Sequence, residues 1–173
     1  HVILATPTGS GKSLVATDHP IAGGTFSNQL TTAAALSQTS LEQLLIQIRN
    51  ATDNNGKRIR LKPKQIVTGP SNVYQAEVLL NSAQRAGTSN NDINPIMSMK
   101  ELPGGQANLA RISSTTAWWI QTDAPEGMKL LMRRKLEKSM EGDFETDNLR
   151  YKATERYSVG FTDPRAMYGT AGL

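Results

Sequence analysis

The sequence predicts an α+β fold, with helices and short strands sharing the first two thirds and long strands closing the chain. Three observations carry this. Leu41, Leu44, Leu45 and Ile48 recur at helical spacing, as do Val73, Ala76, Leu79, Leu80 and Ala83. Residues Leu149 to Thr162 instead alternate with period two, the signature of a strand. The order is helices with intervening strands, then strands, which argues against a regular parallel sheet.

Taken in order, Val2 to Ala5 reads as a short strand running into a Gly-rich turn, and Leu14 to Asp18 as one helical turn or a short strand. His19-Pro20 and Gly23-Gly24 are expected to break any regular element, and residues 21–38, rich in Thr, Ser, Ala and Gly, to form a loop. Thr39 and Glu42 form a capping box that opens the first helix. Asp53-Asn54-Asn55-Gly56 ends it with residues tolerant of left-handed geometry. A basic, exposed stretch follows from Lys57 to Lys64, then a strand from Gln65 to Thr68 closed by Gly69-Pro70. Ser71 caps a second helix that runs to about Ala86 and stops at Gly87. Residues 88–108 read as polar loop. Leu109 to Ile112, Ala117 to Thr122 and Met128 to Arg133 are strand candidates, and Leu149 to Thr162 is the longest. In that last strand Tyr151, Ala153, Tyr157, Val159 and Phe161 share one face, interrupted by Glu155, and Lys152, Thr154, Arg156 and Ser158 the other, as in an antiparallel strand with one solvated side. Asp163-Pro164 turns the chain, with Pro164 setting the backbone angle, and Arg165-Ala166-Met167-Tyr168 restarts it.

The bulk numbers bound the function. A chain of 173 residues holds one domain with a sizeable core, or two small lobes. No apolar run approaches the ~18 residues of a membrane span, so no membrane partner is expected. The absence of cysteine excludes disulfides, thiolate metal sites and cysteine catalysis. With two histidines, His1 and His19, neither a histidine-rich metal site nor a histidine-based triad is expected. The charge of +4 and pI near 9.5 are compatible with a nucleic acid neighbour. The opening His1-Val2-Ile3-Leu4 has no basic leader and no initiator Met, which suggests a processed or truncated chain.

One short motif competes for the function. His1 to Ser13, ending Gly9-Ser10-Gly11-Lys12-Ser13, resembles the first motif of superfamily-two helicases. In such a loop backbone N–H groups cradle phosphates, Lys12 would reach the terminal phosphates and the Ser13 hydroxyl would hold magnesium. Three features count against it. Thr6 stands where the strict pattern has a small residue. Pro20 and Gly23-Gly24 leave little room for the anion-binding helix that should follow. The best magnesium-binding strand, Ala117 to Asp123, ends in a single Asp with no Glu beside it. The string reads as a turn between strands, and a phosphate-loop ATPase or helicase fragment using Gly9, Gly11, Lys12 and Ser13 stands as the alternative.

Two charge clusters are read as solvated surface. Glu137, Glu141, Asp143, Glu145 and Asp147 lack any cleft signature for acid–base work. Lys129, Arg133, Arg134, Lys135 and Lys138 could face nucleic acid or pair with acidic residues of another chain, but no interleaved aromatic residue suggests base reading. A basic DNA-binding module is a third, weaker reading. Trp118 and Trp119 should point to opposite sheet faces, and Met128, Met132 and Met140 are expected to pack rather than ligate.

From about Gly11 onward the chain resembles the major capsid proteins of tailed bacteriophages. The residues that carry the resemblance are Lys12 to Pro20, Ser40-Leu41-Glu42, Asn55-Gly56-Lys57, Lys62 to Pro70, Ala117 to Ile120, Met140 to Phe144, and Glu155-Arg156-Tyr157-Ser158 through Asp163-Pro164-Arg165. The resemblance implies the tailed-phage major capsid fold shared with encapsulin shells, here as an axial domain plus terminal strands of the peripheral domain. The N-terminal arm, extended loop and spine helix of that fold find no candidates in the sequence. It implies an opening strand-and-loop segment at 1–38, an axial-type α+β domain at 39–122, and a mainly β segment at 123–173 that completes both domains. It further implies a virion protein, assembled in the bacterial host cytoplasm, that partners itself in homo-hexamers and homo-pentamers of an icosahedral shell enclosing double-stranded DNA. Contact with that DNA and with decoration proteins is left open. No catalytic, cofactor or metal residues are implied. Residues 21–38 and 88–108 are the candidate intersubunit or outer loops, and 129–138 a weaker candidate for an intersubunit or inner surface.

Overall fold

The computed structural model describes residues 12–85, 92–125, 127–143, 145 and 147–170. The expected strand Val2–Ala5, Gly9 and Gly11, and the helix-ending Gly87 lie outside these residues. A four-stranded mixed sheet organises the body, in the order β4 (Gln106–Asn108), β3 (Pro63–Thr68), β5 (Trp118–Thr122), β8 (Met167–Thr170). β3 runs parallel to β4 and antiparallel to β5, which is antiparallel to β8.

Side-chain alternation along these strands feeds two cores. Ile66, Trp118, Ile120 and Tyr168 pack with Leu41, Leu44, Leu45 and Ile48 of the first helix. Val67, Trp119 and Met167 pack on the opposite side with Leu14 and Ile112. The two tryptophans therefore point to opposite faces, as expected, and both are buried. The larger core also takes in Phe26, Leu30, Leu36 and Ala76. Trp119 sits opposite Gly169 in the ladder. A Cβ at Gly169 would collide with the Trp119 indole and lie 2.7 Å from the Trp118 carbonyl, so only glycine lets these strands approach.

The first helix, α1 (Gln38–Arg49), buries the predicted stripe, but its cap differs from the Thr39–Glu42 box. Ser37, in extended conformation, caps it, and Ser40 returns the bond to the Ser37 backbone. Thr39 already lies inside the helix, and Glu42 instead accepts from Gln38 and pairs with Arg85. α1 ends at Asn50, before Asp53, whose carboxylate organises a separate turn by accepting from the N–H of Asn55 and Lys57.

The second helix also departs from expectation. A 3-10 turn at Pro70–Asn72 leads into α2 (Val73–Asn81), which stops well before Ala86. The Asn94 side chain donates to the carbonyls of Leu79 and Ser82 at the end of α2, while accepting from Ile96 N to open α3 (Pro95–Ser98). Ala83, beyond this stop, is exposed. A partner from residues 92–108, a region read as loop, thus ends the helix.

Three further segments differ from the sequence reading. His19-Pro20 and Gly23-Gly24 do not break structure but build a hairpin of β1 (His19–Ile21) and β2 (Gly24–Phe26), with Gly24 at φ 134°. Leu109 to Ile112 forms a turn, and the preceding β4 takes the strand position beside β3. Met128 to Arg133 is the start of a much longer strand. That strand, β6 (Met128–Asp143), and β7 (Asn148–Phe161) form a separate two-stranded ribbon. Glu137, Glu141 and Asp143 lie within β6, and of the acidic cluster Glu145 and Asp147 occupy the connecting turn.

Candidate functional site

Three arrangements could carry function: the segment after the phosphate-loop string, a buried polar knot behind the sheet, and the ribbon. Around the string, Lys12 forms an ion pair with Asp18, which holds the Asp18 carboxyl below its usual range. Ser13 donates to the Val15 carbonyl, 2.6 Å away. Residues 12–18 form bends rather than the helix that a phosphate loop would be followed by. Both side chains proposed for phosphate and magnesium thus have other partners in the chain, and the best candidate for the acidic strand, Asp123, accepts from Lys62 N.

The knot centres on Asn28, which is completely buried. Its Nδ2 donates to the carbonyls of Leu14 (2.7 Å), Pro164 (2.8 Å) and Met167 (2.8 Å), two N–H groups shared among three acceptors. Its Oδ1 accepts from Ala16 N (2.8 Å) and faces His19 Nε2 (3.1 Å). Carbonyls only accept and the Ala16 N–H only donates, so the amide orientation is fixed by its partners. The proton of His19 therefore sits on Nε2, and burial holds its pKa below the ordinary value. Arg165, 6% exposed, completes the arrangement. Its guanidinium donates to Thr52 O (2.7 Å) and Asn54 Oδ1 (3.0 Å), lies 3.3 Å from Asp163, and stacks 4.9 Å from the Phe26 ring centroid. The knot ties residues 14–28 to the closing strand, with every charge and amide engaged internally. It fits a structural clamp; an open cleft of about 420 Å³ reaches its outer side at Asn54, Asp163 and Arg165, whose polar groups already bond one another or the backbone. Among the sequence signals only the Asp163-Pro164-Arg165 turn pointed here. Asn28 lay in a stretch read as loop, and much of that stretch packs inward, with Leu30 and Leu36 buried.

The ribbon is the exposed element. Across its ladder Met128 faces Phe161, Leu130 faces Val159, Met132 faces Tyr157 and Met140 faces Tyr151, so these pairs share one side. The sequence alternation correctly grouped this side as apolar. The subunit does not cover it, however: Leu130, Met140 and Tyr151 are 61%, 62% and 76% exposed. The basic run 129–138 lies on the same strand, interrupted by register shifts between Met132 and Arg134 and between Arg134 and Glu137. Lys138, opposite Ala153, and Glu155 stand on the same side and divide these pairs into two exposed apolar patches, a kind of surface suited to association. Among the described residues no group of His, Cys, Asp and Glu could hold a metal ion, and no helix is long and apolar enough to cross a membrane.

The model of a family described as phage capsid protein matches residues 1–170. No curated protein matches the chain. A solved shell protein, described as a virus-like particle from Pyrococcus furiosus, aligns over 82% of this chain at 11% identity and a TM-score of 0.47. The chain spans 55% of that protein's length.

Proposed function

The chain belongs to the phage capsid protein family, and from that premise we propose that it is a structural subunit that assembles with copies of itself into a closed virus shell. The family match over residues 1–170 carries this reading. In finer detail, the copies form homo-hexamers and homo-pentamers of an icosahedral shell around double-stranded DNA, put together in the bacterial host cytoplasm. Closure of such rings requires each copy to present complementary, non-identical surfaces. The exposed apolar side of the ribbon supports the proposal, since surface of this kind is kept when assembly covers it. The proposed domain division has an opening segment at 1–38, an axial-type domain at 39–122 and a closing β segment at 123–173. The proposed function involves no nucleotide turnover, a reading supported by the partners that Lys12 and Ser13 have within the chain. Electron microscopy of the purified protein tests the proposal. Uniform closed particles are expected. Small monomers or dimers under every assembly condition, or nucleotide binding abolished by Lys12→Ala, would refute it.

A further inference from the structure

The stretch from Lys57 to Lys64 holds Lys57, Arg58, Arg60, Lys62 and Lys64 and no carboxylate. All five cations are exposed, while Ile59, Leu61 and Pro63 between them turn inward, Leu61 and Pro63 being buried. Inward anchoring fixes the row. Ile59 N donates to Ala51 O, Lys62 N to Asp123 Oδ1, and from Pro63 the chain is strand β3. Arg58, Arg60, Lys62 and Lys64 therefore stand on alternate residues along one edge, roughly 6 to 7 Å apart in extended chain. Among the described residues none of the five has an ion-pair partner.

Beside this row lies an open cleft of about 540 Å³, lined by Arg60, Lys62, Arg49, Lys100 and Glu101. Glu101, its single carboxylate, is tied to Arg49. Asp53, Asp123 and Asp163 lie near Arg60 on the other side of the row, but they accept from backbone N–H groups or pair with Arg165, so the surface keeps an excess of positive charge. We infer that this edge binds the phosphate backbone of nucleic acid, which places the contact with packaged DNA here rather than on the run 129–138. The inference rests on the reading of the chain as a subunit of a DNA-filled shell. A regular row of cations with no aromatic residue among them suits phosphates and not base edges, so contact is independent of sequence.

Two comparisons favour this assignment. The run on β6 mixes its five cations with Glu137, Glu141 and Asp143 on the same strand, and Glu141 stands opposite Arg150 across the ladder. Its field is therefore partly cancelled at source. The other polyanion in the system, the acidic end of a neighbouring copy's ribbon, carries Glu141, Asp143, Glu145 and Asp147, but Lys138, Arg150 and Lys152 accompany them. Duplex DNA offers one charge per about 1.7 Å of axis, a far denser match to the row.

The test is fluorescence anisotropy of a short labelled DNA duplex of mixed sequence, titrated with the full chain over a range of salt. Arg58→Gln/Arg60→Gln/Lys62→Gln is compared with Lys129→Gln/Arg133→Gln/Lys135→Gln, with melting curves checking that both remain folded. Each phosphate contact adds about 0.9 to the log–log salt slope, so the first variant should flatten it by about 2 to 3 and weaken binding at least tenfold at low salt. The second should change little. Equal binding by wild type and the first variant, or a loss confined to the second, overturns the inference. So does a folded row that binds a peptide of residues 137–150 in preference to the duplex, since the partner is then another copy. Failure here leaves closed particles in the microscope untouched, whereas failure of the shell reading removes the particles whatever the duplex does.

Discussion

Asn28→Ala should be among the most damaging single changes to the subunit. The side chain makes five polar contacts of 2.7 to 3.1 Å, to Leu14, Ala16, His19, Pro164 and Met167. At about 1 kcal/mol net for each bond, less what water entering the space recovers, the loss is about 3 to 5 kcal/mol. A domain of this size has about 5 to 15 kcal/mol in all. At about 2 to 4 °C per kcal/mol, the melting temperature should fall by roughly 6 to 20 °C. Circular dichroism on heating and urea titration both read this. Asn28→Asp sharpens the test: it keeps the shape but turns a carboxylate oxygen toward three carbonyls, so it should cost at least as much as alanine. A loss under about 1 kcal/mol for alanine, or an aspartate variant as stable as wild type, would refute the knot as the clamp on the closing strand.

Three other outcomes follow from the same structure. His19 is held below its ordinary pKa of 6.5 by burial, so the unfolded chain binds the proton more readily and stability should be full above about pH 6.5 and decline as pH falls below it. His19→Gln, which can keep an N–H toward Asn28, should remove that decline in pH-dependent melting. The Tyr168 hydroxyl is buried without a hydrogen-bond partner among the described residues, and desolvation pushes its pKa far up. Tyr168→Phe should therefore melt at the same temperature or slightly higher, by about 0 to 1 kcal/mol, and a clear loss would reveal a missed partner. Leu130 and Tyr157 are about 60% exposed. Leu130→Ser/Tyr157→Ser should shift subunit stability by less than about 1 kcal/mol yet abolish closed particles in electron micrographs.

Local patterns were legible where burial and periodicity coincide. The stripe of α1, the strands at Gln65–Thr68 and Trp118–Thr122, and the opposed tryptophans all follow from side-chain spacing against one sheet. Spacing could not show what ends or caps an element when the partner comes from elsewhere. Asn94 stops α2 from a distant loop, and Ser37 displaces Thr39 because the preceding chain arrives extended. The hairpin at His19–Phe26 was hidden because Pro and Gly read as breakers, although Pro suits an edge strand and Gly24 supplies a positive φ where β2 leaves the turn. The ribbon shows a different limit. Alternation identified its apolar side but not its exposure, because period two reports that a face is to be buried, not by what. The knot left almost no trace, since Asn28 looks like any loop asparagine until Leu14, Pro164 and Met167 surround it.

The strap that runs through Asn28 to Leu30 also guards the sheet. Gln29 bridges Gly169 in parallel, Gly169 N donates to Asn28 O and Leu30 N to Gly169 O, so the outer edge of β8 is occupied by the chain itself. An open edge is a template on which another chain can add a strand, and repeated addition gives fibres. A protein made in many copies and gathered at high local concentration is especially exposed to that hazard. By spending its own backbone on this edge, the subunit withdraws one route to unlimited growth.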